Sequence, residues 1–172
     1  LLDKTLNCAL MPDGVTEANF AMNIGNVKTW TAETPNLYSI HIVQRNAAGQ
    51  EELAFSTKYG FREVKTRGAQ VFINGRKVLF KGVNRHDHSA ENGHTVSREE
   101  TEKDLRLMKS FNVNAIRTSH YPDNPFFYDL CDEYGIYVLS EANVECHGFW
   151  KLSHEMTWAD AFSERCANMV RR

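Results

Sequence analysis

The stretch Val113-Asn114-Ala115-Ile116-Arg117-Thr118-Ser119-His120-Tyr121-Pro122 decides how this chain is read. A short apolar-rich run, 113–116, gives way at once to polar and ring-bearing side chains. A brief buried run bounded by breakers is what an interior strand requires. On its N-terminal side, Ser97-Arg98-Glu99-Glu100 is a capping box that opens a helix through about Phe111, with Leu105, Met108 and Phe111 on one face. On its C-terminal side, Asn124-Pro125 supplies an N-cap followed by Pro at the first helical position, and Gly135 supplies the stop. Ile136-Tyr137-Val138-Leu139 then reads as another strand, and Val78-Leu79-Phe80-Lys81-Gly82-Val83 as the one before. A last helix is expected to carry Trp158, Phe162, Cys166 and Met169, with Trp158 in the core. Strands alternating with helices imply parallel βα units.

Residues 1–67 have a different texture. Pro12-Asp13-Gly14 and Ala47-Ala48-Gly49 are turn signals, and residues 18–30 and 37–43 are β-rich with no sustained helical period. This part reads as a portion of a β-sandwich. In Val71-Phe72-Ile73-Asn74-Gly75-Arg76-Lys77-Val78, two short β runs flank Asn-Gly, the strongest short-range hairpin signal. The expected organisation is therefore α/β plus β, divided into residues 1–67 and 68–172.

Each of the three apolar strands runs out into polar, histidine-bearing sequence: Asn84-Arg85-His86-Asp87-His88, then Arg117-Thr118-Ser119-His120-Tyr121, then Glu141-Ala142-Asn143-Val144-Glu145-Cys146-His147. In a parallel α/β barrel those ends converge on the face where active sites are built. A closed barrel needs eight strands in about 250 residues, so three units make an incomplete one with open edges that is expected to be poorly stable alone. The opening Leu1-Leu2-Asp3-Lys4 has neither an initiator Met nor the layout of a signal peptide, and reads as an internal cut.

Composition narrows the function classes. The 172 residues are 42% hydrophobic and 24% charged, with 20 basic against 22 acidic residues and a formal net charge of −2. That balance gives no electrostatic reason to expect nucleic acid or an anionic membrane as partner. No apolar run approaches the roughly 18 residues of a membrane span. Cys8, Cys131, Cys146 and Cys166 lack zinc-site spacing, and Cys131 and Cys166 read as small buried hydrophobes. A reducing, cytoplasmic compartment is the favoured reading. Lys103, Arg106 and Lys109 read as the solvated face of the first helix.

The run from Asn114 to Pro122 continues through Phe126-Phe127-Tyr128, Asp132 and Gly135-Ile136-Tyr137-Val138-Leu139. This pattern resembles the first sequence signature of glycoside hydrolase family 2. Gly82-Val83-Asn84-Arg85-His86 and Glu141-Ala142-Asn143-Val144-Glu145-Cys146-His147-Gly148 resemble the family's first and third barrel strands. Trp30-Thr31-Ala32-Glu33-Thr34-Pro35-Asn36-Leu37-Tyr38 and Gly60-Phe61-Arg62 are similar to its immunoglobulin-like β-sandwich domain. The resemblance implies the end of that sandwich followed by the first three βα units of a TIM (β/α)8 barrel. The Glu-x-His pair and the strand-one His lean toward the β-galactosidase branch, with a β-galactoside as substrate and a homo-oligomeric parent. Ser140 departs from the Asp often found there.

Carried over residue by residue, the resemblance makes Glu145 and His147 ligands of an active-site Mg²⁺; two apart on an extended segment, they would share a face. The alternative is a buried hydrogen-bonded pair. His86 and His120 would donate to sugar hydroxyls and stabilise an oxocarbenium-like transition state, or be satisfied core histidines. Arg117 would hold the nucleophile's carboxylate bidentately, or form a structural ion pair, with Glu141 as its partner. Asn84, Asp87, Asn143 and Tyr121 are further positioning candidates, and His88 and His94 are expected to face solvent. Trp150 would wall a sugar ring or simply pack. Retaining hydrolysis needs two carboxylates about 5 to 5.5 Å apart, and the resemblance places both on later strands, the acid/base in an Asn-Glu pair. No such pair ends a buried strand here, so the piece alone is expected to hydrolyse nothing. The alternatives are a β-glucuronidase or β-mannosidase of the same family, or a non-catalytic sugar- or metal-binding module.

Overall fold

The computed structural model describes residues 3–9 and 13–171. The turn expected at Pro12-Asp13-Gly14 falls partly outside them, at Pro12; Asp13 has the positive φ of a turn residue, 58°. Residues 18–29 carry no strand, against expectation, and Trp30 forms only an isolated bridge with Pro35. An extended segment becomes a strand only by pairing, and no described strand runs beside this one. The next segment does pair. Strands β1 (Tyr38–Arg45) and β2 (Glu51–Tyr59) form an antiparallel two-stranded sheet, exposed on both faces. The Asn46 side chain closes their turn by accepting from the Ala48 and Gln50 amides at 3.0 Å each. Among the described residues this pair carries no second sandwich layer.

A three-stranded antiparallel sheet follows, made of β3 (Val64–Arg67), β4 (Gln70–Ile73) and the two-residue β5 (Arg76–Lys77). Asn74 (φ 49°) and Gly75 (φ 77°) form the hairpin turn between the last two, both in the left-handed conformation that the right-twisted ribbon demands.

The remaining strands are parallel, in the order β6 (Gly82–Arg85), β7 (Ala115–Thr118), β8 (Tyr137–Leu139). All three start later than their hydropathy suggests, β8 by a single residue. The expected strand over 78–83 shifts to Gly82–Arg85 because Asn114 takes over its first backbone groups: Lys81 N donates to Asn114 Oδ1 at 2.8 Å, and Asn114 Nδ2 donates to the Leu79 carbonyl at 3.0 Å. The strand expected over 113–116 begins at Ala115, although the Asn114 backbone already bonds to Lys81 and Tyr137 on either side.

Helix α1 (Arg98–Ser110) opens with the full Ser97/Glu100 capping box, and α2 (Pro125–Tyr134) with Asn124 as cap and Pro at its start. Their inner faces and one face of the sheet enclose the core of Leu105, Ile116, Phe127, Leu130, Cys131 and Ile136. Phe111 does not join Leu105 and Met108 there; it is the C-cap, already out of helical register, and lies exposed. Lys109 is not purely solvated, since its ammonium donates to the carbonyls of Ala32 (3.0 Å) and Gly135 (3.1 Å). Helix α3 (Ala159–Arg171) buries no residue, so Cys166 is exposed and Trp158, in the 3-10 turn before it, is 44% exposed rather than core. An apolar helical stripe is buried only when another element covers it.

Trp30 ties the N-terminal segment to the βα units. It is 1% exposed, donates from Nε1 to the Asp132 carbonyl at 2.8 Å, stands edge-on to Tyr137 at 5.5 Å and carries the Arg62 guanidinium 4.8 Å above its ring. Gly135 ends α2 with φ 71°, and a Cβ there would lie 2.4 Å from the Ala32 carbonyl oxygen. Only glycine permits both the left-handed cap and this approach. All these contacts lie near the C-terminal end of α2, which runs back beneath the sheet.

At the other end sits a buried ion cluster that the sequence does not single out. Arg85, the last residue of β6, is 5% exposed. It donates to Asp87, to Asp123 (3.0 Å) and, through Nε and Nη2, to Asp104 of α1 (3.4 and 3.3 Å), while its guanidinium covers the Phe127 ring at 5.2 Å. One cation thus serves three carboxylates. Burial, then the neighbouring Asp87, push the Asp123 carboxyl up to about 6, against the pull of Arg85.

Two predictions follow from these anchors. Trp30→Ala should cost about 3–5 kcal/mol in a denaturant unfolding curve, the usual range for emptying a buried Trp site. Asp123 holds its proton in the folded state through a range where the unfolded chain has released it. Its contribution to stability is therefore present at low pH and lost as pH rises from about 4 to 6, by on the order of 2–3 kcal/mol. Asp123→Asn should flatten that fall in a series of Tm measurements across the same window; an unchanged slope would refute it.

Candidate active site

Side chains alternate across the parallel sheet, so neighbours level in the register share a face. Ile116 is level with Val83 and Val138, and is buried on the helix side. Asn84, Arg117 and Leu139 are level one step on and therefore stand on the opposite face. A concavity of about 350 Å³ there is lined by Phe80, Asn84, Arg117 and Leu139 together with neighbouring strand residues.

The strand ends gather a polar group above that face. His86 and His120 meet edge to face with ring centroids 5.6 Å apart, and Tyr121 lies 6.1 Å from His86. Arg85 holds the loops behind them through one nitrogen, Nη1, which donates both to Asp87 next to His86 and to Asp123 just past Tyr121. Ser119 N donates to the Arg85 carbonyl at 2.9 Å, which extends the ladder into the second loop. His88 and His94 are exposed and pair edge to face at 5.8 Å, and His94 Nδ1 contacts the Asp87 carbonyl oxygen at 2.8 Å.

Glu141 sits at the centre of the second cluster. Its amide donates to Thr118 Oγ1 at 3.0 Å, which draws the end of β8 against the end of β7. Its carboxylate accepts from Arg117 Nε, and its other oxygen is 3.0 Å from His120 Nδ1. Arg117 Nη2 lies 3.2 Å from the same ring nitrogen. The Arg117 guanidinium holds the Glu141 carboxyl below its ordinary value, with His120 adding to the effect. The Arg117–Glu141 pairing read in the sequence is present; the share of His120 in it was not foreseen.

Residues 143–148 form no strand, and Asn143 turns the chain with φ 55°. Glu145 and His147 nonetheless bring a carboxylate oxygen against Nδ1. The pair is not buried, since the His147 side chain is 77% exposed. Trp150 stands edge-on to His147 at 5.7 Å on the same open loop. Among the described residues, no group of three His, Cys, Asp or Glu is placed to hold a metal. Asn84 and Asn143 are exposed. Sequence reasoning passed over Arg85 and Asp123; the only available signal was a charged residue inside a strand pattern, which is costly unless paired.

Comparison with known proteins places these features in one family. Residues 5–62 match the family model described as glycosyl hydrolases family 2, and residues 64–172 match that of the same family's TIM barrel domain. The chain is 42% identical over 154 residues to a β-galactosidase of Photobacterium profundum (88% of this chain, 15% of the relative). It is 45% identical over 152 residues to one of Pseudoalteromonas haloplanktis (87% and 15%). It therefore spans 15% of the length of these relatives. Among solved structures it is similar to a β-glucuronidase of Dictyoglomus thermophilum, with TM-score 0.64 and 33% identity over 67% of this chain and 20% of that one. A β-glucuronidase of Ruminococcus gnavus in complex with D-glucuronic acid gives TM-score 0.64 and 29% identity, with the same coverage. A parallel sheet whose charged, histidine-bearing ends meet on one side, and two adjoining models that together cover residues 5–172 but for one position, have a single source: the chain belongs to glycosyl hydrolase family 2.

Proposed function

We propose that this chain is the part of a retaining β-galactosidase that forms the first three βα units of its catalytic barrel and one wall of the sugar site. The observation that carries the reading is the meeting of His86, His120, Arg117 and Glu141 at the C-terminal ends of adjacent parallel strands. Identity of 42% and 45% to β-galactosidases supports galactose over glucuronic acid. His86 and His120 offer ring nitrogens to the sugar's hydroxyls from a pocket edge where the second loop is tied to Arg85. Such contacts, strengthened as the ring flattens, lower the barrier to an oxocarbenium-like state. Arg117 gives Nε to Glu141 and sets its Nη2 against the His120 edge, while Nη1 makes no hydrogen bond among the described residues. That nitrogen is available to orient a carboxylate brought by the rest of the protein. The nucleophile and the acid/base would both come from outside this stretch, which by itself would turn nothing over.

Glu145 and His147 offer a carboxylate and an imidazole side by side on an open loop, donor types that a divalent cation takes, and the direct contact between them would open to admit it. The carboxylate suits Mg²⁺, which keeps several waters and needs few protein ligands. Bound there, the cation would supply fixed positive charge beside the sugar site.

The test is hydrolysis of aryl β-galactoside, β-glucuronide and β-mannoside by the full-length protein. The galactoside should show the highest kcat/KM. A higher value for the glucuronide would move the assignment to that activity, and sugar binding without turnover would leave a binding module. Glu145→Gln should weaken Mg²⁺ by about 10- to 100-fold in a titration of the EDTA-treated protein; unaltered affinity would place the metal elsewhere.

A further inference from the structure

We propose that Glu141 is a positioning residue for His120: it fixes the ring as its Nδ1–H tautomer, so that the neutral ring turns the Nε2 lone pair toward the sugar. The inference rests on the sugar-site reading above and adds to it the direction of one hydrogen bond.

The argument begins with a conflict at one atom. A neutral imidazole nitrogen either carries a proton and donates, or carries a lone pair and accepts. His120 Nδ1 faces a carboxylate oxygen at 3.0 Å and a guanidinium nitrogen at 3.2 Å. Those neighbours ask for opposite states. Donation to Glu141 requires Nδ1–H, whereas acceptance from Arg117 Nη2 requires a bare Nδ1. Three observations favour Glu141. Its oxygen is the nearer of the two. Arg117 already donates Nε to it and keeps the carboxyl below its ordinary value, so it is a full negative charge. Its backbone is held as well, because the Glu141 amide donates to the Oγ1 of Thr118, a buried residue two positions before His120. The guanidinium contact is charge-assisted too, but it is the longer of the two, and the Arg117 charge is already answered by Glu141 through Nε, so the ionised carboxylate decides the proton's place.

The consequence lies on the far side of the ring. With the proton on Nδ1, neutral His120 accepts from a sugar hydroxyl at Nε2, and it donates there only when the ring is protonated. That reverses, for the neutral ring, the donor role carried over from the family resemblance. Arg117 then has a second task besides meeting a carboxylate, since it keeps Glu141 ionised. Orientation of a ring by a carboxylate on its other nitrogen is a general device for fixing a tautomer.

The experiment uses the full-length protein with ring-¹⁵N-histidine, above the pH range in which imidazole titrates, with His120→Phe identifying the resonance. Wild-type His120 should show a protonated Nδ1 and a bare Nε2. Glu141→Gln should invert the pattern, because the amide can present an N–H to Nδ1. A wild-type ring with its proton on Nε2, or a pattern unchanged in Glu141→Gln, overturns the proposal. Kinetics on whichever glycoside the wild type turns over give the second arm. Glu141→Gln should lower kcat by about 10- to 100-fold with KM moved far less, and the same change in a His120→Phe background should lose most of its effect. Equal costs in both backgrounds would mean that Glu141 does not act through His120. Should Glu141→Gln fail to fold, Glu141→Asp keeps the charge but shortens the reach, and the same cycle decides. A wild type that hydrolyses no glycoside would defeat the functional reading alone, because the tautomer is read without turnover.

Discussion

A guanidinium removed from water must be answered by negative charge at hydrogen-bond distance, and the upper half of this molecule is arranged around that demand at Arg85. The residue ends β6, yet its partners come from the following loop (Asp87), from α1 (Asp104) and from the loop ahead of α2 (Asp123). Loss of the cation would leave buried carboxylates facing one another, a penalty well above that of a surface ion pair. Because Asp87 adjoins His86 and Asp123 lies just past Tyr121, the same four charges set the spacing of the two histidine-bearing loops. Fold and site are therefore not separable at this point.

The two ends of the parallel sheet are built from opposite chemistry. At the end where α2 terminates, Trp30, Tyr137 and Phe80 stack edge to face and Gly135 lets the Ala32 backbone come close. Those contacts are mainly ring and backbone packing, and they join segments far apart in the chain. At the other end the chain meets itself through ions: Arg85 with its aspartates, and Arg117 with Glu141 and His120. Packing gives the stiffness on which the charged end depends, since hydrogen-bonded side chains hold sub-ångström positions only on rigid elements. By contrast, the Glu145–His147 loop and α3 have little behind them, and they include the most exposed candidate residues.

Where the sequence reading went astray, the cause was local in each case. Residues 18–29 have β-like composition, but a strand exists only through a partner. The strand before Arg85 slid toward its C-terminus because Asn114 satisfied the backbone ahead of Gly82, which no hydropathy pattern encodes. Phe111, Trp158 and Cys166 have the spacing of buried residues and are exposed, since the spacing names a face and not what covers it. The caps, in contrast, were legible to the residue. Ser97 with Glu100, Asn124 with Pro125, and Gly135 each do a job that depends only on near neighbours.

The sequence by itself determined the alternation of strand and helix, the boundaries of α1 and α2, the Asn-Gly hairpin, and the placing of His86, His120 and Glu141 just past the parallel strands. It also determined membership in the family, through a long signature with fixed spacing. All of these are contiguous, and short-range chemistry encodes them. Tertiary structure alone decided which carboxylates answer Arg85, that Trp30 closes the far end against α2, and that Glu141 lies between Arg117 and His120. Apart from Arg85 with Asp87, these join residues far apart in the chain, Trp30 and Asp132 by 102 positions and Arg85 and Asp123 by 38. Such pairings follow from strand register and helix docking, which are set by the whole core together.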